Sequence, residues 1–372
     1  MIYFDHNATT YVDAEIAKAF VDICSEYGVL NPNSVHKSGK KARTLLEKSR
    51  DSILDSLHAK CHKLVFTSGG TEGNNQVILG GKWDEIFISP IEHDSVFKPA
   101  SLRNCKVLRV DQNGLIDCEY LKSELKKVRN SNFLVSIIAA NNEIGVVQDV
   151  RKLADIVHKN GGVLHSDFTQ FVGKEYVDLR KLDADIVTFS GHKIHCVHGI
   201  GAIVFKSEIS KFIAPIFHGG GQEEFRRSGT QNVAGAACLS MAVMCANRED
   251  YIEKYRLHTR SLMNILEEQI EALGGKVIAK DVHRIHNTAM ITMPNVESSV
   301  QMIEFDMNDI CISNGAACSS GKVGESRVLC EIFGINENEL VKNAIRVSID
   351  ISNTESEMGR FIQVWKNLRN RT

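Results

Sequence analysis

The sequence predicts an α/β fold, in which a mostly parallel sheet lies between helices and a smaller α+β domain follows. Between about residues 63 and 206, short β-rich runs alternate with longer amphipathic stretches. This alternation is typical of parallel strands joined by helices. After about residue 251 the pattern changes to one long helical stretch followed by separate short strands. The chain has 372 residues, enough for one large core and a second, smaller one.

The individual elements follow from hydrophobic periodicity. In the helix predicted over 151–160, Leu153, Ile156 and Val157 fall on one face. The other long helix is predicted over 257–273. We predict a large domain over 15–250, and a small domain over 1–14 and 251–372. The strands are predicted at 63–67, 133–140, 163–166, 185–190 and 202–205 in the large domain, and at 289–293 and 344–350 in the small one.

Composition narrows the classes of function. The 44 Lys and Arg residues nearly balance the 46 Asp and Glu residues, and no long run of like charge suggests a nucleic-acid-binding arm. The N-terminus resembles no signal peptide, and no apolar stretch reaches membrane-spanning length. The ten cysteines form no C-x-x-C pair, so neither a disulfide framework nor a zinc ribbon is indicated. We expect a cytoplasmic protein with a small-molecule substrate, and no direct contact with nucleic acid or membrane.

Two segments suggest a site for a phosphorylated cofactor at the edge of the sheet. Residues 66–73 follow a predicted strand and open a helix, so backbone N–H groups there could bind phosphate. Asp167 lies at the carboxyl end of another strand, where it could hold a protonated ring nitrogen. Both segments have a simpler interpretation, because Ser, Thr and Asp are also ordinary helix N-caps.

A lysine completes this pattern. Lys193 follows a buried-looking strand and lies beside His192. In an apolar cleft such a lysine loses its proton readily and could form a Schiff base with an aldehyde cofactor, whereas an exposed lysine there would be unremarkable. A phosphate loop, a pyridinium acid and a Schiff-base lysine, in that order, are what a pyridoxal 5'-phosphate (PLP) enzyme requires.

Two further residues suggest the substrate chemistry. Cys318 lies in a loop of small residues, 313–322, where a nucleophile would have access and mobility; the alternative is a buried thiol in a tight turn. Arg346 lies inside a predicted strand, where a charge is costly unless it is paired. A substrate carboxylate would be a suitable bidentate partner, and a structural salt bridge is the alternative.

Together these segments resemble the class V aminotransferase family, and within it the group I cysteine desulfurases that supply sulfur for iron-sulfur cluster assembly. The resemblance implies a fold type I PLP-dependent transferase with a seven-stranded sheet. It runs nearly end to end, through residues 5–10 (DHNATT), 31–34 (NPNS), 67–72 (TSGGTE), 92–93 (EH), 141–145 (NNEIG), 190–193 (SGHK), 218–222 (HGGGQ) and 227–230 (RSGT).

The resemblance also implies a role for each matching residue. Lys193 would bind the cofactor covalently, Asp167 would pair with its pyridinium nitrogen, and His93 would stack on its ring. Cys318 would accept the substrate sulfur. The other implied contacts are Gly70, Thr71, Ser190 and His192 to the phosphate, Gln170 and Asn142 to the ring oxygen side, Thr230 to the phosphate of the neighbouring subunit, and Arg346 with Asn142 to the substrate carboxylate.

The implied reaction converts L-cysteine to L-alanine. Lys193, once displaced by substrate, would take the Cα proton, and Cys318 would attack as a thiolate and become a persulfide, with His93 as a proton carrier. The resemblance further implies a homodimer that passes sulfur to an iron-sulfur scaffold protein or a tRNA-thiolation partner. No metal of its own is expected, and Cys318 would at most ligate a cluster on the scaffold transiently.

Three departures from the family pattern accompany this resemblance. Cys196, Val197 and His198 stand where glycine and proline are usual, Phe168 follows the acid in place of a small residue, and Asn314 replaces a serine. None removes a catalytic group. The alternatives to a desulfurase are a selenocysteine lyase, another class V PLP enzyme such as an aminotransferase, and a catalytically idle structural subunit.

Overall fold

The computed structural model describes residues 1–128, 132–315, 326–334 and 339–371. In this part of the chain the strands are β1 (Ile2–Tyr3), β2 (His62–Thr67), β3 (Glu85–Ile88), β4 (Cys105–Val107), β5 (Phe133–Ile138), β6 (Val163–Asp167), β7 (Ile186–Ser190), β8 (Gly201–Lys206), β9 (Lys276–Val277), β10 (Thr288–Thr292), β11 (Ile310–Cys311) and β12 (Ala344–Ser348).

The helices of the described residues lie between and after these strands. They are α1 (Ala14–Tyr27), α2 (Lys37–Ser56), α3 (Gly70–Leu79), α4 (Asp94–Ser101), α5 (Cys118–Leu125), α6 (Val150–Lys159), α7 (Leu179–Leu182), α8 (Gln222–Phe225), α9 (Val233–Ala246), α10 (Glu249–Ala272), α11 (Ser298–Met307), α12 (Arg327–Phe333), α13 (Glu339–Lys342) and α14 (Glu355–Arg369).

A seven-stranded sheet forms the centre of the larger core, in the order β2-β8-β7-β6-β5-β3-β4. Strands β4, β3, β5, β6 and β7 are mutually parallel, and β8 runs in the opposite direction, antiparallel to both β7 and β2. Strand β5 is buried along its whole length, as expected for a parallel strand covered on both faces. The predicted fold class, a mostly parallel sheet between helices, is therefore confirmed.

This topology places several polar residues at one edge of the sheet. Parallel strands present their carboxyl ends together: Ile138 pairs with Asp167, Asp167 pairs with Thr188, and Ser190 ends β7 two residues further on. The antiparallel β8 returns between β7 and β2, and its register sets Thr67 and Ser190 on either side of Gly201. The turn after Thr67 therefore joins the same edge.

A second core lies around a three-stranded antiparallel sheet, in the order β12-β10-β9. Its buried aromatic side chains include Phe305, Phe361 and Trp365. Phe4 belongs to the same cluster, and β1 pairs in parallel with β11, so the first residues of the chain join elements from its far end. The domain boundaries given above remain a prediction.

Most predicted strands and helices differ from the observed ones by one or two residues at an end, and one helix differs by more. The helix predicted over 257–273 begins eight residues earlier, at Glu249, because Glu249 and Asp250 favour the positive end of a helix and extend it toward its N-terminus. The strand predicted over 133–140 ends at Ile138, because Ala140 already pairs with Val147 across the turn between them. Within the described residues, every helix is too short or too polar to cross a membrane.

Candidate active site

A cavity of about 480 Å³ lies at this edge of the sheet. The described residues lining it include ten of the twelve predicted site residues: Gly70, Thr71, His93, Asn142, Asp167, Gln170, Ser190, His192, Lys193 and Arg346. Thr230 is exposed and does not line this cavity. Cys318 lies outside the described residues, although Gly315, shortly before it, lines the cavity.

Lys193 ends a short 3₁₀ turn that follows β7. Its Nζ donates hydrogen bonds to the backbone oxygens of Asn7, at 2.5 Å, and Ala8, at 2.6 Å. The N-terminal segment therefore lies beside Lys193 and supplies two hydrogen-bond acceptors for its amine. A lysine held at the cavity wall by carbonyl oxygens has a defined position next to any ligand bound there.

Asp167 is buried at the carboxyl end of β6. Its Oδ2 accepts a hydrogen bond of 2.7 Å from Asn74 Nδ2, and its Oδ1 accepts one of 2.8 Å from the backbone N–H of Thr169. The second bond is a local turn bond. Among the described residues the next helix after Asp167 is α7, which begins at Leu179, so the helix N-cap interpretation of this aspartate is wrong. Asn74 fixes the carboxylate from the neighbouring helix α3, a contact that the sequence analysis missed.

The N-terminus of α3 and Thr169 together form a cradle in the cavity wall. A Cβ atom at Gly70 would lie 2.8 Å from Thr169 Oγ1, so glycine is needed there for close approach. Thr169 Oγ1 is buried and has no hydrogen-bond partner among the described residues. With the helix dipole and the Ser190 hydroxyl beside it, this cradle fits an anion. Thr169 was missed from the sequence, although its position two residues after Asp167 is a usable signal.

Two histidines of the cavity are oriented by hydroxyl groups. His93 Nδ1 lies 2.7 Å from Ser95 Oγ, which also accepts a hydrogen bond from Asn74. His192 Nδ1 lies 3.1 Å from Thr9 Oγ1. Burial, together with the nearby charge of Lys193, lowers the pKa of His192 to about 4. His192 is therefore a neutral imidazole at neutral pH.

Arg346 lies in β12 and lines the same cavity, with 2 % of its surface exposed. Its guanidinium donates to Asp5 Oδ1 at 2.6 Å and to the backbone oxygen of Asn142 at 2.9 Å. The structural salt bridge that the sequence analysis left open is thus present, with Asp5 as the partner. Arg346 Nε is buried without a hydrogen-bond partner among the described residues, so the guanidinium retains a donor.

Phe168 and Cys196, two residues that depart from the family pattern, lie beside the cavity rather than in it. Phe168 is fully buried and packs on Phe171, with ring centroids 4.9 Å apart. Cys196 is buried in the same hydrophobic core, and burial raises the pKa of its thiol to about 12. Only His198 reaches the cavity, where its Nε2 lies 3.0 Å from Thr9 Oγ1. Thr9 thereby contacts both His192 and His198.

Comparison with known proteins places this arrangement in a family. The profile of the family described as aminotransferase class-V matches residues 2–361. The cysteine desulfurase IscS of Dictyoglomus turgidum is 31% identical, over 99% of this chain and 94% of the relative. The cysteine desulfurase IscS of Buchnera aphidicola is 33% identical, over 98% of this chain and 91% of the relative.

Solved structures agree with the sequence relatives. A NifS-like protein from Rickettsia africae superposes with a TM-score of 0.90 at 34% identity, over 100% of this chain and 99% of that one. The protein SspA, solved in complex with cysteine, superposes with a TM-score of 0.78 at 25% identity, over 94% and 99%. The resemblance predicted from the motifs is confirmed: the chain belongs to the aminotransferase class-V family, among relatives that are named cysteine desulfurases.

Proposed function

We propose that this protein is a PLP-dependent cysteine desulfurase, which converts L-cysteine to L-alanine and transfers the sulfur to Cys318. One observation carries the proposal. A single cavity brings together an amine, a buried carboxylate, a helix N-terminus suited to phosphate and a guanidinium, contributed by Lys193, Asp167, Gly70 and Arg346. These groups match the aldehyde, the ring nitrogen and the phosphate of the cofactor, and the carboxylate of an amino acid.

The cofactor fits the residues of the cavity. Thr169 Oγ1 and the α3 N-terminus would hold its phosphate, together with Thr71, Ser190 and His192. Asp167 would hold its ring nitrogen, and Lys193 would carry it covalently. When bound, PLP supplies an aldehyde for the substrate amine and a ring that withdraws electrons from Cα.

The protein's own residues then bind substrate and move protons. Arg346 would hold the carboxylate of cysteine and thereby fix its Cα near Lys193. Lys193, displaced from the cofactor, would take the Cα proton, and the Asn7 and Ala8 carbonyl oxygens mark a position that its ammonium can occupy. His93, held through Nδ1 by Ser95, would return a proton to the carbon skeleton.

The sulfur step needs no external oxidant. The Cys318 thiolate attacks the substrate sulfur, so that an S–S bond forms as the substrate C–S bond breaks, and its electron pair stays with the carbon skeleton. Cys318 is oxidised to a persulfide, and the carbon skeleton is reduced and protonated to alanine. An iron-sulfur scaffold or another sulfur-acceptor protein would then take the persulfide sulfur.

The proposed homodimer has one supporting observation. Thr230 is exposed on the single chain and lies outside the cavity, as expected for a residue that would contact the phosphate bound by a second copy. Neither this role nor the sulfur acceptor is needed for the first chemical test.

The direct test gives L-cysteine and a reductant to purified protein loaded with PLP. We expect a yellow protein that releases alanine and sulfide in equal amounts. A yellow protein that consumed cysteine without releasing sulfide would refute the desulfurase assignment, and a protein that bound no PLP would refute the whole proposal.

Arg346 gives a prediction with a matched control. Replacing Arg346 with lysine is expected to raise KM for L-cysteine about 10-fold to 100-fold, because a single ammonium replaces a bidentate grip on the carboxylate. Replacing Asp5 with asparagine breaks the same ion pair but leaves the guanidinium in place. If both variants raised KM equally in steady-state assays, the role of Arg346 would be structural.

A further inference from the structure

A second lysine lies behind the cavity and is absent from the site residues derived above. Lys174 has only 4 % of its surface exposed. Its Nζ donates hydrogen bonds to Gln170 Oε1 and, at 3.3 Å, to Asn7 Oδ1. Lys174 and Lys193 line the same small internal space. Burying an amine costs free energy, so the burial of Lys174 needs an explanation other than packing.

The first reason is the orientation of Gln170. The two ends of a carboxamide have nearly the same shape, but a lysine Nζ only donates in these contacts and so selects the oxygen. Gln170 Oε1 therefore faces Lys174, while Gln170 Nε2 donates at 2.9 Å to the backbone oxygen of Asn7. Nε2 carries a second hydrogen. Because Gln170 lines the cavity, that donor is available to a ligand oxygen.

The second reason is the charge next to Lys193. The backbone oxygen of Asn7 accepts from Lys193 Nζ, and the Asn7 side chain accepts from Lys174 Nζ, so one residue joins the two amines. Burial, and then the proximity of Lys193, holds the pKa of Lys174 well below its ordinary value. The coupling is mutual, since two neighbouring amines each make protonation of the other less favourable.

The other ionisable groups around Lys174 do not cancel this effect. Arg346 adds a second positive charge, and Asp350 opposes it. Asp350 is itself engaged by His195, at 3.3 Å. His6 lines the same space, and burial lowers its pKa, so it adds no charge at neutral pH. Lys174 thus faces a mostly cationic surrounding, which disfavours a positive charge on both lysines at once.

We propose that Lys174 is a positioning residue of this active site, which turns the donor end of Gln170 toward the ring oxygen of the cofactor and makes Lys193 easier to deprotonate. The inference rests on the proposed function and deepens it. It assigns Lys174 no contact with substrate or cofactor, only an effect through Gln170 and Lys193.

The test compares Lys174→Met, Lys174→Gln and wild type in the full-length protein. One measurement needs no cofactor: labelling of amines across a pH series, with mass spectrometry of the peptide that contains Lys193, gives the pH midpoint of that amine. A second follows the visible absorbance of the PLP-loaded protein against pH, and a third measures kcat with L-cysteine. Lys206→Met is the control, because Lys206 is a partly buried lysine of the same core that pairs with Asp183 and Asp185, away from the cavity.

In Lys174→Met, the midpoint of Lys193 should rise by about one pH unit, the size of effect that a neighbouring like charge has. Its kcat should fall about tenfold, because Gln170 loses its orienting donor. Lys174→Gln should shift the midpoint as much but retain more of the rate, because its amide still donates. Lys206→Met should change neither.

An unchanged Lys193 midpoint in Lys174→Met would overturn the inference. If that variant failed to fold, an unchanged Lys193 midpoint in Lys174→Gln would overturn the inference instead. The two proposals fail differently: wild-type protein that bound no PLP would refute the proposed function, whereas the labelling midpoints would still report on the two lysines.

Discussion

Replacing Lys193 with alanine is expected to abolish covalent attachment of PLP and to lower the rate of alanine formation by about 10³-fold or more. Both effects are expected because the same amine would hold the cofactor and move the Cα proton. The measurement is borohydride reduction of the loaded protein followed by peptide mass spectrometry. Wild-type protein should carry the added mass on the peptide that contains Lys193, and the variant should carry none.

Two comparisons make this result specific. Lys193→Arg keeps the positive charge beside the Asn7 and Ala8 carbonyl oxygens but cannot form the covalent bond, so it should also carry no added mass. Lys174 is the nearest competitor, being buried and lining the same internal space. Added mass on Lys174 in the wild-type protein would show that the two lysines had been assigned the wrong way round.

The sequence is most informative where a short segment determines its own geometry. Asp167 ends β6 and Lys193 follows β7, and neighbouring parallel strands bring such ends to one edge. The convergence of these two residues could therefore be predicted from the sequence. Gly70 follows β2, which joins the same edge through the antiparallel β8, and that pairing was not predicted. The short apolar runs in this region also favour the predicted fold class, because strands covered on both faces are apolar along most of their length.

The missed residues act over long distances in the sequence. Asn74 reaches Asp167 across 93 residues, and Lys174 reaches Asn7 across 167. Asp5 pairs with Arg346 across 341 residues, so the partner of a charge inside a strand could be inferred to exist but not identified. No local pattern encodes these contacts, since they arise only when separate elements pack together. Thr169 is the exception, because its position beside Asp167 is visible in the sequence.

The residues of the cavity divide into those that would bind cofactor and substrate and those that would take part in the reaction. Asp167 and Arg346 are each fixed by hydrogen bonds within buried strands, so they can bind without moving. Lys193 lies at the end of a short turn and donates to backbone oxygens, and in the proposed mechanism it leaves them when substrate arrives. The remaining reacting group is the sulfur acceptor, which the cavity as described does not contain.

Replacing Cys318 with alanine tests that last group. The variant is expected to bind PLP and L-cysteine as wild type does, because the groups proposed to hold them are unchanged. Its rate of sulfide release should fall by roughly 10³-fold, which is the usual effect of removing a nucleophile. The measurement pairs the absorbance change on adding L-cysteine with the yield of sulfide. Preserved absorbance without sulfide would place the block after substrate binding.

A second cysteine supplies the control. Cys311 is partly buried in β11, and burial raises the pKa of its thiol, so it is a poor thiolate at neutral pH. Cys311→Ala should therefore release sulfide at the wild-type rate. Wild-type activity in Cys318→Ala would end the persulfide mechanism, and loss of activity in Cys311→Ala alone would move the acceptor role to that thiol. Gly315, three residues before Cys318, lines the cavity. We therefore expect Cys318→Ala, and not Cys311→Ala, to lose sulfide release.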